Sequence, residues 1–482
     1  MTLIDRIDHA IGETTEGVLR AHHRRRLAKV GWERALDPPG DGRWCAAEPP
    51  PREGCSLDVL IDGEEALPAI AEAIRRAKSH VHIAGWFTSP DFELQRESEG
   101  QPLRDLLAGA AERIPVRVLL WAGSPAPVFS PTRKTVRQVR DALRHGTRIQ
   151  CELDPREHPV HCHHEKLVIA DDEVAFVGGI DLTDLAGDRF DHPEHPARGD
   201  LGWHDVASRL RGPIVADVAE HFAFRWREVS GEALPVRAGA QPAGSHTVQL
   251  VRTVPQGVYG GLPGGDYRIL ETYIRALRSA RRLIYIENQF LWSPEVTEVL
   301  AEKLRNPPSD DFRLVVLLPV RANNGADVTR GQAGELVNAD GGAGRFLACS
   351  IYARGESDDP QPVYVHAKVC IVDDEWLTLG SANLNEHSLF NDSEVNVVCD
   401  STGLARETRE RLWAEHLELP LGEVHDRTPV DLVDNVWQPI AAEQLKKRED
   451  EEPLTHRLVR LPGVSRRARR LLGPLDSLFV DG

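Results

Sequence analysis

A chain of 482 residues exceeds one ordinary hydrophobic core, so two or more packed lobes are expected. Hydrophobic residues make up 41% and charged residues 28%, a balance that excludes a disordered chain and a membrane-embedded bundle. The formal net charge of −17 repels phosphate backbones at long range, which sets aside non-specific nucleic-acid binding as the main role.

Residues 1–55 read as an N-terminal arm lying on the first lobe and ending in the Pro-rich stretch DPPGDGRWCAAEPPPREG. Its opening residues, MTLIDRIDHAIGETTEGVLRAHHRRR, scatter charges where a signal peptide needs an unbroken apolar core. No run elsewhere approaches the roughly 20 apolar residues that span a bilayer. Arg20, His22, His23, Arg24, Arg25 and Arg26 form a basic cluster suited to anionic headgroups, although a solvated or interlobe charged face is an equally simple reading.

The next stretches repeat. AIRRAKSHVHIAGWF (Ala73 to Phe87) aligns with ALRSARRLIYIENQF (Ala276 to Phe290), with five of fifteen positions identical, and each reads as a helix end running into a strand. VRVLLWAG (Val116 to Gly123) corresponds to FRLVVLLPV (Phe312 to Val320), both continuous apolar runs of the kind that form buried central strands. HEKLVIADDEVAFVGGIDL from His164 matches HAKVCIVDDEWLTLGSANL from His366. Three blocks in one order and near-constant register establish a duplication. Strands alternating with helices in each copy give the expected fold class: two similar α/β lobes related by a pseudo-twofold, with a site between them. Residues 56–230 form the first lobe, 231–246 a Gly- and Pro-rich linker, 247–428 the second lobe and 429–482 a C-terminal extension.

Each repeat carries H-x-K-x-x-x-x-D followed by a Gly-rich tetrad: His164, Lys166 and Asp171 with Gly178 to Asp181, and His366, Lys368 and Asp373 with Gly380 to Asn383. On a strand, alternate side chains share a face, so the histidine and lysine project together while Glu165 or Ala367 points away. The Asp-Asp-Glu after each apolar run is turn-forming, which makes each motif a hairpin and gives Asp171 and Asp373 a mainly structural share of the motif. Gly179 lets backbone approach a phosphate closely, Ser381 and Asn383 add hydrogen bonds to it, and Lys166 and Lys368 supply positive charge. Asp181 is an anion where phosphate is expected, and pairs more simply with a lysine.

Imidazole titrates near pH 6.5, so one histidine can attack phosphorus while another, protonated, gives its proton to the departing alcohol. Such a nucleophile needs its second ring nitrogen held by an acceptor, and Asp205 and Glu394 are the candidate orienting acids. Glu287 and Gln289 are placed at the mouth of the site on one side, and Trp86 on the other. The seven cysteines show no CxxC pairing and are odd in number, favouring free thiols in a reducing cytoplasm, with Cys370 and Cys399 in the core. No cluster has metal-ligand spacing, so neither metal nor other cofactor is expected.

Over roughly residues 56 to 425 the sequence resembles the phospholipase D superfamily. Both motifs carry the resemblance, together with IYIENQF (Ile284 to Phe290) and GWHDVASRLRGP (Gly202 to Pro213), similar to stretches of lipid-hydrolysing phospholipases D and bacterial cardiolipin synthase relatives. The resemblance implies the phospholipase D fold and a metal-free phosphohistidine mechanism, with His164 as nucleophile and His366 as general acid. The near-symmetric motifs leave the reverse order open. The implied substrate is a phospholipid at a membrane surface, hydrolysed or exchanged at its headgroup ester by a peripheral, cytoplasmic enzyme. Cardiolipin-type phosphatidyl transfer is the alternative, a nuclease or an inactive lipid-binding protein is less favoured, and a monomer already holds both half-sites. C-terminal arginines Arg457, Arg460, Arg466, Arg467, Arg469 and Arg470 are a second candidate contact with anionic membranes.

Overall fold

The computed structural model describes residues 3–95, 100–125, 130–185, 202–237, 241–321, 326–353 and 361–464. In chain order the first half contributes β1 (Arg52–Ile61), β2 (Val81–Gly85), β3 (Val116–Trp121), β4 (Gln150–Asp154), β5 (Leu167–Ala170), β6 (Val174–Gly178), β7 (Trp203–His204) and β8 (Val206–Arg211). The second half contributes β9 (His246–Val254), β10 (Asp266–Tyr267), β11 (Leu283–Glu287), β12 (Arg313–Leu317), β13 (Phe346–Ile351), β14 (Tyr364–Val365), β15 (Val369–Val372), β16 (Trp376–Gly380) and β17 (Glu394–Asp400), and β18 (Leu458–Arg460) follows.

One sheet runs through both halves in the order β18-β13-β12-β11-β15-β16-β17-β9-β1-β8-β6-β5-β2-β3-β4, with β10 paired to β9. About the β9–β1 junction the order is palindromic apart from β18, which is the duplication expressed as topology. The central strands pair in parallel, β2 with β3 and β11 with β12, and their mostly apolar residues are covered on both faces. Helices Asp62–Arg76, Leu103–Ala111 and Arg133–Arg144 cover the outer face of lobe one, and Arg268–Ser279 with Pro294–Arg305 that of lobe two. The opposite face of both lobes forms a single core under helices Ile214–Ser230 and Thr402–Leu417. The lobes are therefore continuous in both backbone pairing and packing.

The motif hairpins β5–β6 and β15–β16 turn through two aspartates each in left-handed backbone, with φ of 62° and 54° at Asp171 and Asp172 and 57° and 59° at Asp373 and Asp374. Aspartate tolerates this region better than most residues, so the turn chemistry is local. All seven cysteines are buried and free.

Two expectations change. The arm packs on the second lobe, not the first: Leu27, Ala35, Leu36 and Cys45 join the core of helices Arg268–Ser279 and Pro294–Arg305. Its basic cluster is partly consumed, since on the second lobe Arg20 pairs with Glu298, His23 with Glu295 at 2.7 Å and Arg26 donates to Phe390 O, while Arg24 pairs with Asp37 of the arm itself. Ile269, Tyr273 and Ala276 of helix Arg268–Ser279 lie in that same core, so the apolar residues of the arm are buried with them. Of the expected C-terminal extension, residues 429–464 are built into the fold, because Leu432, Val433 and Trp437 enter the shared core and β18 pairs antiparallel with β13. Arg466, Arg467, Arg469 and Arg470 lie outside the described residues. No helix among the described residues is long and apolar enough to cross a membrane.

Candidate active site

Besides the β9–β1 junction of the sheet, two short backbone pairings cross between the lobes at the site. β14 runs parallel to β7, with Tyr364 opposite Trp203 and Val365 opposite His204, and the His366 amide donates to His204 O at 2.8 Å. In the mirrored position His163 bridges Ser393 and the His164 amide donates to Ser393 O at 2.9 Å. Each motif histidine is thereby laid beside the residue that precedes the acid of the opposite lobe.

The side chains follow. His164 Nδ1 lies 3.0 Å from Glu394 Oε1 and 3.2 Å from Ser381 O, while His366 Nδ1 lies 2.7 Å from Asp205 Oδ2. The two imidazole centroids are 6.4 Å apart at 70°, close enough for one phosphate to touch both rings. All four residues are buried. A carbonyl oxygen only accepts, so His164 Nδ1 carries the proton and Nε2 holds the lone pair. Burial lifts the Glu394 carboxyl to about 8 against Lys166 and the hydroxyls of Ser381 and Ser388.

The lysines stand beside the rings in unlike settings. Lys166 Nζ donates to His164 O at 2.8 Å and pairs with Asp181 Oδ2 at 3.2 Å, the lysine contact expected for that aspartate. Lys368 Nζ donates to His366 O and to Gln289 Oε1 at 3.3 Å, with no carboxylate in ion-pair range among the described residues. Burial pulls its amine down to about 7, opposed by Asp205 and reinforced by Lys166. Gln289 is the hub on this side: it also accepts from Asn383 Nδ2 at 3.2 Å and donates to the Tyr364 hydroxyl at 2.7 Å. Trp86 meets His164 edge-on at 6.5 Å and stacks on Trp121, and Trp203 packs 4.4 Å from His366, so each histidine has an indole neighbour.

Several placements expected from residue type and spacing are corrected by the contacts. The Ser381 hydroxyl is not directed to phosphate, because it is donated to Glu394 Oε2 and accepts from the Val395 amide. Gly179, its counterpart, serves a close approach to a carboxylate: a Cβ there would lie 2.1 Å from Asp205 Oδ1. Asp171 and Asp373, for which a mainly structural share was expected, are not corrected in this way: Asp171 accepts from the Lys78, Ser79 and His80 amides, and Asp373 from the Arg281, Arg282 and Leu283 amides, about 20 Å of extended chain from the histidine. Glu287 is fully buried and outside the site, accepting from His204 and His416 Nε2, each at 2.8 Å. Burial alone would raise its carboxyl, but the two imidazoles outweigh it and hold it well below the usual range. β11 ends at Glu287, so strand alternation does not carry through to Gln289, which alone of the pair reaches Lys368.

Sequence reasoning missed Tyr364, Trp203 and Ser388, whose neighbourhood only the seam pairing reveals. It also missed a buried support behind His164. Asp154 accepts from Tyr259 and Arg225, His163 Nε2 lies 3.3 Å from Asp154 Oδ1, and Glu165 is held by Arg225 and His221. Alternation correctly turns Glu165 away from the site, and this is where it goes.

Fold and site define a duplicated α/β protein whose paired imidazoles and lysines meet at one interlobe seam. Residues 73–202 match the family model described as Phospholipase D, and residues 273–415 the one described as Cardiolipin synthase, PLD-like domain. The chain belongs to the phospholipase D superfamily. It is 25% identical to Phospholipase D A of Dictyostelium discoideum over 77% of this chain and 36% of that protein. It is 23% identical to Phospholipase D1 of Schizosaccharomyces pombe over 89% and 41%, and 23% identical to Phospholipase D alpha 3 of Arabidopsis thaliana over 83% and 72%. The chain thus spans less than half the length of the first two relatives. Among solved structures, the phosphatidylserine synthase of Haemophilus influenzae Rd KW20 shares the fold, with a TM-score of 0.53 at 12% identity over 82% of this chain and 93% of that one.

Proposed function

We propose that this chain is a phosphodiesterase that cleaves or exchanges the headgroup ester of a glycerophospholipid through a phosphohistidine intermediate. The observation that carries it is the crossed pair of imidazole–carboxylate contacts around one seam, with ring centroids 6.4 Å apart. His164 Nε2 attacks phosphorus, the bond from phosphorus to the headgroup oxygen breaks, and His366 gives its proton to the departing alkoxide. His366 then takes a proton from water or an acceptor alcohol, whose oxygen attacks phosphorus as the P–N bond breaks. The 2.7 Å contact of His366 with Asp205 favours the imidazolium that the first step needs, and Lys166, Lys368 and Asn383 meet the phosphate oxygens. Relatives that carry the name phospholipase D support the substrate class. Seven buried free thiols fit a reducing compartment, and this reading places the enzyme at the cytoplasmic face of a membrane.

Single-turnover quenching with a phosphate-labelled phospholipid tests this reading. Label on His164, absent from His164→Ala, is expected, whereas no protein-bound label, or equal label on both histidines, overturns it. The match of the second half to a family described as cardiolipin synthase favours transfer as a second reading. Phosphatidylcholine, phosphatidylglycerol and single-stranded DNA assayed side by side, with and without a primary alcohol, separate hydrolysis, transfer and nuclease action by product.

A further inference from the structure

Beside the seam, and outside the groups assigned above, His161 of lobe one meets His387 and Asp392 of lobe two. His387 opens the π-helical turn His387–Asn391 and Asp392 closes it. The His161 and His387 Nδ1 atoms are 3.0 Å apart, His161 Nδ1 is 3.4 Å from Asp392 Oδ1, and His387 Nδ1 is 4.0 Å from Asp392 Oδ2. Ligands of a tetrahedral ion at about 2.0–2.1 Å stand about 3.3–3.5 Å from one another, so these separations bracket what an ion needs.

Two facing imidazole nitrogens share at most one proton, and hydrogen bonding through it leaves the Asp392 Oδ2 atom, in a residue of 0% exposure, without a partner. The other oxygen, Oδ1, is fixed by the Cys162 amide at 2.8 Å, so the carboxylate is held in place independently of the two rings. A single divalent cation would satisfy all three groups at once. His161 also lines a cavity of about 780 Å³ between the arm and the seam, so this edge of the cluster is reached from outside the fold.

We propose that His161, His387 and Asp392 bind a first-row transition-metal dication that clamps the two lobes together. Two imidazoles and one carboxylate select zinc or its neighbours over calcium and magnesium, which prefer all-oxygen shells. Its place in the fold defines its work: it ties the segment leading to His164 to the segment leading to Glu394, and takes no part in phosphoryl transfer. The proposal stands apart from the choice of substrate.

The test uses the purified full-length chain, stripped with chelator and titrated with Co²⁺, then with Zn²⁺ in competition. One equivalent of Co²⁺ with tetrahedral visible absorption is expected, displaced by Zn²⁺, with Zn²⁺ raising the unfolding temperature. Because Asp392 also anchors the Cys162 amide, the decisive variant is His161→Ala, whose ring is 15% exposed and whose loss leaves that bond in place. Its Zn²⁺ affinity falls about 100-fold or more, while His80→Ala, in the separate group of His80, His82 and Asp172, binds as the parent does. No saturable band, an unchanged band in His161→Ala, or loss of the band in His80→Ala overturns the site.

Discussion

The two half-sites share one scaffold and differ in the side chains packed around each ring, so each imidazole has its own setting. Around His164 stand Glu394 with its two serine donors, and a lysine neutralised by Asp181. Around His366 stand the shorter Asp205, packed against Gly179, and a lysine that meets only the Gln289 amide and a carbonyl. A duplication that kept all side chains would have given two equivalent imidazoles; here one faces a carboxyl lifted to about 8 and the other a close aspartate. Symmetric backbone sets the positions, and asymmetric neighbours give the two rings different partners.

The largest effect that bears on this contrast is loss of either ring. His164→Ala and His366→Ala each lower kcat by on the order of 10⁴-fold or more on a lipid phosphodiester, and only the latter still forms a labelled adduct, which quenched-flow labelling reads directly. Next come the acids. Asp205→Asn costs about 10³-fold to 10⁴-fold and Glu394→Gln about 10²-fold, because only the first removes a charge-assisted partner; equal losses in kcat would break the asymmetry. Lys368 sharpens it further. Its ammonium, needed by phosphate, is present below about pH 7 and shed above, so inhibition by inorganic phosphate weakens about tenfold per pH unit through that range, and Lys368→Met flattens the dependence. Smallest on activity are Asp171→Asn and Asp373→Asn. Each changes kcat by about twofold or less while lowering stability by about 1–3 kcal/mol, read from denaturant melts, since each loses a carboxylate that caps three backbone amides.

Much of this architecture is legible in the sequence because the chain states it twice. The repeated H-x-K motifs locate both rings and both lysines, and strand alternation sends Glu165 to the far side. Asp205 and Glu394 are identifiable as acids opening downstream apolar stretches. What escapes is any relation that depends on partners distant in the chain. That each acid serves the other lobe's histidine follows from the β14–β7 pairing and the His163–Ser393 bridge, and neither leaves a periodic trace. Ser381 reads as a phosphate donor by residue type, but the longer Glu394 beside it takes the hydroxyl. Glu287 looks like a mouth residue until two histidines, His204 and His416, close on it from different elements. The arm's true resting place depends on an apolar helix face whose coverage no local pattern reveals.

The exchanged acids also speak to origins. An unduplicated unit would possess an imidazole but not the carboxylate that steadies it, so it would be complete only as a twofold homodimer of identical subunits. Joining two such units in one chain makes the partnership obligatory, and frees each half from the constraint of matching its twin.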